Sequence, residues 1–364
     1  MATMRRLNFQ KLHNSRIAAT KPAVKTGAKR RRPMLSKKRA VFAALFATCF
    51  GAATLAAGSG ANGQSYPTRP ITVIVPYAGG SASDVVSRVL FEKMSTILGQ
   101  TIVVENKPGA GGNVGTAQVA KATPDGYTLL GVAAGPVTTG LMLYNNIGFE
   151  AKDLVLISPF ASFTVVITVS DKLGVKSVKE LIERAKKEPG ALNYGSVGIG
   201  SSQHLAGEYF SQITGTKLTH VPYRNIAQFG PDLMEGRVQL GFSWYPNVAG
   251  PLSAKGATAL AVAGDKRLTA VLPDTPTTTE AGLPDYKVDG WFGLGAPSGV
   301  SKEIQQKLNA ALLEALKDPK LLASFEKIGA VQIGKNLEES RKFWDDETIK
   351  YRQIVTNAGI KRID

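Results

Sequence analysis

Two turns of glycine and serine, each set between an apolar β-like run and a helix-like run, constrain this chain more than any other feature. The first is Pro76-Tyr77-Ala78-Gly79-Gly80-Ser81-Ala82-Ser83-Asp84. The second is Tyr194-Gly195-Ser196-Val197-Gly198-Ile199-Gly200-Ser201-Ser202-Gln203-His204. A strand that feeds a helix through a tight turn is the repeating unit of parallel α/β sheets. Such a turn also gathers backbone N–H groups and hydroxyls at a helix N-terminus, which makes a receptor for an anion such as a carboxylate. Two receptors far apart in one chain point to a small acid gripped from two sides. Neither turn ends in Gly-Lys-[Ser/Thr], so neither is a nucleotide P-loop.

The rest of the body repeats the alternation. Ile71-Thr72-Val73-Ile74-Val75 reads as a buried strand ended by Pro76, followed by a helix Val85 to Leu98, capped by Ser83 or Asp84 and stopped at Gly99. A strand Thr101 to Glu105, a helix Asn113 to Lys121 and a strand Tyr127 to Val132 follow. Phe163 to Val169 is a β-branched strand, and Ser177 with Glu180 has the spacing of a capping box for a helix to Lys187. Ala191 to Tyr194, Leu218 to Val221, Gln239 to Ser243 and Ala257 to Ala263 read as strands, with helices Gln203 to Thr214 and Gln228 to Glu235 between them. After a Pro/Thr-rich connector, Asp274 to Leu283, a strand Trp291 to Ala296 and helices Lys302 to Lys317 and Leu337 to Asn357 close the chain.

The charge argument depends on the first 63 residues. They hold 13 Lys and Arg and no Asp or Glu, then an apolar run Ala40 to Ala57, then Gly58-Ser59-Gly60-Ala61-Asn62-Gly63. That is a basic region, an apolar region and a small-residue cleavage zone, read as an export signal over a membrane anchor. The whole chain is formally +16, but without the leader 31 basic residues face 28 acidic ones. The nucleic-acid signature therefore belongs to the leader, and no nucleic-acid partner is expected of the body. The single cysteine, Cys49, also lies in the leader, so the body has no disulfide and no cysteine metal site.

Other motifs are weaker. Gly109-Ala110-Gly111-Gly112-Asn113-Val114-Gly115 has one residue too many before its last glycine for a dinucleotide fingerprint, and reads as a turn allowing close packing. His204 and His220 lack the spacing and carboxylate company of a metal site, and neither looks placed beside a serine as a base. No Gly-x-Ser-x-Gly elbow is present around the second turn, which argues against a serine hydrolase. Trp244, Tyr245 and Trp291 fall at strand ends, where aromatics line clefts or fill cores alike.

Taken together, the body resembles the Bug family, the extracytoplasmic substrate-binding receptors linked to tripartite tricarboxylate transporters. The resemblance runs from about Tyr66 to Ile363. It rests on Tyr66-Pro67-Thr68-Arg69-Pro70-Ile71, the Gly-Gly loop ending at Asp84, Val104-Glu105-Asn106-Lys107-Pro108-Gly109, and Pro124-Asp125-Gly126-Tyr127-Thr128-Leu129. It continues through Ser202-Gln203-His204-Leu205-Ala206-Gly207-Glu208, His220-Val221-Pro222-Tyr223-Arg224 and Trp291-Phe292-Gly293-Leu294. The resemblance implies an α/β, two-lobed type II periplasmic-binding-protein fold with a ligand cleft between the lobes. It implies lobe one from 64–165 plus 290–364, lobe two from 166–289, and crossings at Phe163 to Val169 and Val288 to Leu294. It implies a monomer in the periplasm, no cofactor, no metal and no chemistry. The ligand would be a small organic acid, handed to a two-subunit membrane transporter or, alternatively, sensed. Carried over, the ligand residues are Ala78, Gly80, Ser81 and Ser83 in lobe one, with Ala134 and Gly135 as a third wall. In lobe two they are Ser196, Gly200, Ser201, Gln203 and Ser243. Against the family pattern, Ser81 stands where Gly is common, Val197 and Ile199 where Ser and Asn are common, and Ser243 where Asp is frequent. These departures imply a less acidic, more apolar site.

Overall fold

The computed structural model describes residues 66–362; the basic leader lies outside the described residues. Every residue of β1 (Ile71–Val75) is β-branched, which favours an extended pleated strand. Pro76 ends it, and the first turn leads into α1 (Ala82–Leu98). Ser81, not Ser83 or Asp84, is the N-cap: its hydroxyl accepts the Asp84 N–H at 3.4 Å. Gly99 stops the helix with φ 66°. Val86, Leu90 and Met94 recur at helical spacing and are fully buried, each such side chain contributing about 1.5–3 kcal/mol by leaving water.

The first sheet takes in β2 (Ile102–Asn106), β3 (Thr128–Ala133), β4 (Leu154–Thr164), β10 (Asp289–Pro297) and β11 (Ala330–Gln332), in the order β11-β4-β10-β3-β1-β2. β1 pairs in parallel with β2 and β3, whereas β10 runs antiparallel to both β3 and β4. The second sheet holds β5 (Val166–Ser170), β6 (Asn193–Ser196), β7 (Thr219–Pro222), β8 (Leu240–Ser243) and β9 (Ala257–Val262), ordered β7-β6-β8-β5-β9. It repeats the plan: β6 is parallel to β7 and β8, and β5 is antiparallel to β8 and β9. In both sheets the first strand of the parallel trio lies at its centre, so the chain leaves it once to each side. That is a topological switch point, where open α/β sheets leave a crevice beyond the carboxyl ends of the strands.

The expected strand Phe163 to Val169 is two strands in different sheets. They are separated at Val165, whose N–H donates to Val288 O (3.3 Å) and whose carbonyl accepts from Ala263 N (2.8 Å). The long β4 escaped the sequence reading because Pro159 interrupts it; the ladder tolerates the proline where the β10 register shifts, opposite Gly293. Helix α2 (Asn113–Ala120) follows the glycine-rich turn, and α3 (Val178–Lys187) is capped by Ser177. The α3 capping box is only half made, because Glu180 takes the Lys176 N–H in place of that of Ser177. Helix α4 (Ser202–Thr214) leaves the second turn and α5 (Phe229–Met234) precedes β8. Helix α6 (Tyr245–Ser253) has no counterpart among the elements expected from sequence: Pro246 fits its first turn and Pro251 falls near its end, and the two prolines mask the helical pattern. Helices α7 (Lys302–Ala315), α8 (Pro319–Lys327) and α9 (Leu337–Asn357) complete the chain, α8 and the short β11 also being unforeseen. Among the described residues no helix is long and apolar enough to cross a membrane.

Candidate functional site

The two turns have the same backbone design. Gly80 and Gly200 adopt φ of 78° and 76°, a left-handed conformation that glycine takes without strain. Ser81 and Ser201 follow as extended N-caps, their amides bonded back to Ala78 O and Gly198 O, each at 3.2 Å. Their hydroxyls accept from Asp84 N and His204 N, and their carbonyls from Val85 N and Leu205 N. Asp84 and His204 then reach back equivalently, Asp84 Oδ2 accepting the Gly80 N–H (2.9 Å) and His204 Nδ1 the Gly200 N–H (3.3 Å). The second helix N-terminus is thus a copy of the first with an imidazole in place of a carboxylate.

Both N-termini open on one cavity. Ser81, Ala82 and Ser83 line it from one side, and Ser201, Ser202 and Gln203 from the other. The amides of Ser83, Ser202 and Gln203 make no hydrogen bond among the described residues. These are the orphan donors that any helix N-terminus carries, here buried at one cavity wall. Ala133, Ala134 and Gly135, where β3 ends, form a third wall, and Tyr77, Trp244, Trp291 and Phe292 supply the apolar surface. The space is small, about 20 Å³, little above the roughly 10–15 Å³ that one water needs.

The two halves of the molecule meet tightly around it. Thr139 donates to Gly200 O, and Tyr144 OH donates to Ile199 O at 3.1 Å. Ala82 N donates to Asn247 Oδ1 at 3.1 Å, and Ser202 Oγ lies 3.3 Å from Tyr351 OH. Gly111 presses on Ile199, so the glycine-rich segment 109–115 does allow close packing, with the second turn as its neighbour. These contacts describe a closed cleft.

Of the residues expected at the ligand, Ser81, Ser83, Ala134, Gly135, Ser201 and Gln203 line the cavity, whereas Ala78, Gly80, Ser196, Gly200 and Ser243 stand behind it. Ala78, Gly80 and Gly200 shape the turns through the bonds described above. Ser243 Oγ accepts from Gln203 Nε2 (2.8 Å) and Asn247 Nδ2 (3.1 Å), which orients both carboxamides. Tyr77, Asn247 and Phe292 are wall residues that the sequence reading did not assign to the site, while Ser202, whose hydroxyl the second turn offers to an anion, lines the wall with them. Asn247 had no signal of its own, because no element was expected over the stretch that forms its helix.

His220 does stand beside a serine: its Nε2 lies 2.6 Å from Ser196 Oγ. The pair is not aimed at the cavity. Ser196 is fully buried, and its hydroxyl also accepts the Gly198 N–H at 3.0 Å, so it fastens the turn. The His204 and His220 rings lie against each other, tilted by 39°, with centroids 4.3 Å apart. Burial lowers the pKa of His204 to about 4. Burial, with the neighbouring His204 second, lowers that of His220 to about 3. Both imidazoles are therefore neutral at neutral pH, as the acceptor role of His204 Nδ1 requires. Asp84 is the opposite case: burial opposes its ionisation, but hydrogen bonds from Arg88, the Gly80 amide and Asn106 outweigh burial and hold its carboxyl below the usual range. Among the described residues no group of three or more His, Cys, Asp or Glu could hold a metal ion.

Comparison with known proteins agrees with this geometry. The model of the tripartite tricarboxylate transporter family receptor matches residues 86–360. A protein from Agrobacterium vitis, encoded in the TAR-I ttuE-ttuC' intergenic region, is 35% identical over 301 residues, 81% of this chain and 86% of its own. Protein BugT of Bordetella pertussis is 33% identical over 311 residues, covering 85% and 95%. Among solved structures, a Rhodopseudomonas palustris protein with adipate superposes with a TM-score of 0.79 at 32% identity, covering 82% of this chain and all of that one. The periplasmic binding protein BugD gives 0.77 at 34% identity, with 82% and 100% covered. MatC from Rhodopseudomonas palustris, with bound malate, gives 0.73 at 27% identity, with 80% and 100% covered. These neighbours bear out the two-lobed periplasmic-binding fold. The chain belongs to the tripartite tricarboxylate transporter family of receptors.

Proposed function

We propose that this protein is an extracytoplasmic receptor that captures a small carboxylate-bearing acid between two lobes and presents it to a membrane transporter. One observation carries the reading: the N-termini of α1 and α4, set on different sheets, open on the same cavity with unbonded amides at its wall. A helix N-terminus favours negative charge through its free N–H groups and its dipole. Neither terminus alone encloses a ligand. The relatives solved with adipate and with malate support a carboxylate as the captured group.

The lobes are the segments 64–165 with 290–364 and 166–289, moving about Val165 and the return into β10. Ser81, Ser83, Ala134, Gly135, Ser201 and Gln203 touch the acid; Ala78, Gly80, Ser196, Gly200 and Ser243 hold them in place. The ligand binds one lobe of the open cleft and gains contacts from the other only on closure, so it shifts the population towards the closed form. The leader sends the chain to the periplasm, where the monomer meets its membrane partner. The function includes no catalytic step. Native mass spectrometry of the purified protein, followed by calorimetric titration with the acid it retains, tests the proposal. Retention of a carboxylic acid that rebinds with one-to-one stoichiometry is the expected result. Failure of every carboxylic acid to bind would refute it.

A further inference from the structure

A groove of about 740 Å³ opens between α7, α9 and the start of β4, and shares no wall residue with the cavity at the two turns. Val137, Leu154, Leu156 and Leu337 line it, with the half-buried indole of Trp344. Helix α9 has two faces. Ser340, Tyr351 and Ile354 turn to the core, while Leu337, Arg341, Trp344 and Thr348 recur at helical spacing along the groove. We propose that this groove docks an amphipathic helix of a partner protein, its apolar stripe flanked by a basic-acidic-basic row, and docks it more tightly when the cleft is closed. The dependence on closure rests on the function proposed above; the docking does not.

The charges along the groove name the occupant. Away from it, α9 pairs its charges within the helix, Lys342 with Asp346 at 2.6 Å and Lys350 with Glu347 at 3.3 Å. At the groove, Glu338, Arg341 and Asp345 are exposed and make no ion pair among the described residues, although their i, i+3 and i, i+4 spacing permits one. They leave an acidic-basic-acidic row beside an apolar floor, which a helix with the opposite row complements. The row extends about 10 Å along the helix axis, longer than a small acid spans. A second copy is a poor match. Two α9 faces packed antiparallel set Glu338 against Asp345, and packed parallel they set each charge against its like.

The floor also connects to the cleft. Trp344 Nε1 donates to Val137 O at 3.0 Å. The segment that begins at Val137 grips the second turn through Thr139 and Tyr144. A helix seated on Val137 and Leu141 therefore braces the contacts that hold the cleft shut, and closure favours that helix by the same factor.

Two labelled synthetic peptides of about 18 residues, long enough to hold a helix, test this by fluorescence anisotropy. They share one leucine stripe and differ only in the flanking row, Lys-Glu-Lys in one and Glu-Lys-Glu in the other. The first should bind at least about tenfold more tightly than the second, with the difference shrinking as salt is added. The double variant Glu338→Lys, Asp345→Lys, changed only at exposed side chains, should reverse the preference. Equal affinity for the two peptides, binding of neither at about 1 mM, or an unreversed preference in the folded variant overturns the proposal. Self-association of the wild type that this variant abolishes would assign the groove to a second copy and overturn it too. The acid that the purified protein retains should tighten the matching peptide by about fivefold or more. An acid that binds the cleft and leaves the peptide affinity unchanged overturns the dependence on closure. If no acid binds, the carboxylate reading falls and the charge preference still decides the docking.

Discussion

Gly111 and Ile199 touch backbone to backbone: a Cβ on Gly111 would lie 2.1 Å from the Ile199 carbonyl oxygen. Gly111 belongs to the turn before α2 and Ile199 to the turn before α4, so under the proposed two-lobe closure this contact forms as the cleft shuts. Gly111→Ala should therefore act mainly on closure. Ligand affinity should fall by about tenfold or more, since only the fraction able to close binds tightly. The melting temperature of the free protein should fall by only a few degrees, reflecting about 1 kcal/mol for a non-glycine residue at φ 63°. Calorimetry and thermal denaturation on one preparation separate the two effects.

Thr139 and Tyr144 hold the same turn through the carbonyls of Gly200 and Ile199. Tyr144→Phe deletes one of these bonds and keeps the ring. The expected loss is about 1 kcal/mol of closed-state stability, a several-fold weaker Kd, seen chiefly as faster ligand release. Stopped-flow release kinetics check this, and an unchanged release rate would show that the bond does not hold the cleft.

Ser201 caps α4 and lines the cavity, so two replacements separate its roles. Ser201→Ala removes the cap and should lower stability by about 1 kcal/mol in denaturant unfolding. Ser201→Leu adds bulk where Gly135 already packs on the Ser201 Cα. It should abolish acid binding, and wild-type affinity in that variant would displace the proposed site.

The two neighbouring histidines give a pH dependence with a definite sign. In the unfolded chain both titrate near 6.5, but in the folded protein His204 and His220 fall to about 4 and about 3. Between these limits the unfolded state binds protons that the native state does not. The stability these groups confer is therefore full above pH 6.5 and falls as the pH drops, levelling at about 4 for His204 and about 3 for His220. Unfolding midpoints measured from pH 7 to pH 4.5 should decline, and His220→Gln should flatten that decline. A parallel decline in the variant would place the sensitivity in other groups.

Much of this was readable from residues close together in sequence. The β-branched run Ile71 to Val75, the stop at Gly99 and the two Gly/Ser turns are local, fixed by backbone sterics and by orphan amides that a nearby hydroxyl must satisfy. Local reading failed where a distant partner overrode a local signal. Proline disfavours a strand interior, and only the register shift against β10 accommodates Pro159 in β4. Ser83 and Asp84 are as good N-caps as Ser81 by type, and only the left-handed Gly80 before it selects Ser81.

By itself, then, the sequence determined that the chain alternates strand and helix, that two of its turns can receive an anion, and that its basic excess lies ahead of the fold. Tertiary structure alone decided which faces of those turns line the cavity. The central placing of β1 and β6 brings Ser81 towards Ser201, and Ala82 to Asn247, across more than a hundred residues of chain. It also turned Ser196 away towards His220 and left the wall without a charged side chain. Sheet order is set by burial and hydrogen bonding summed over whole strands, and no short stretch of residues carries that sum.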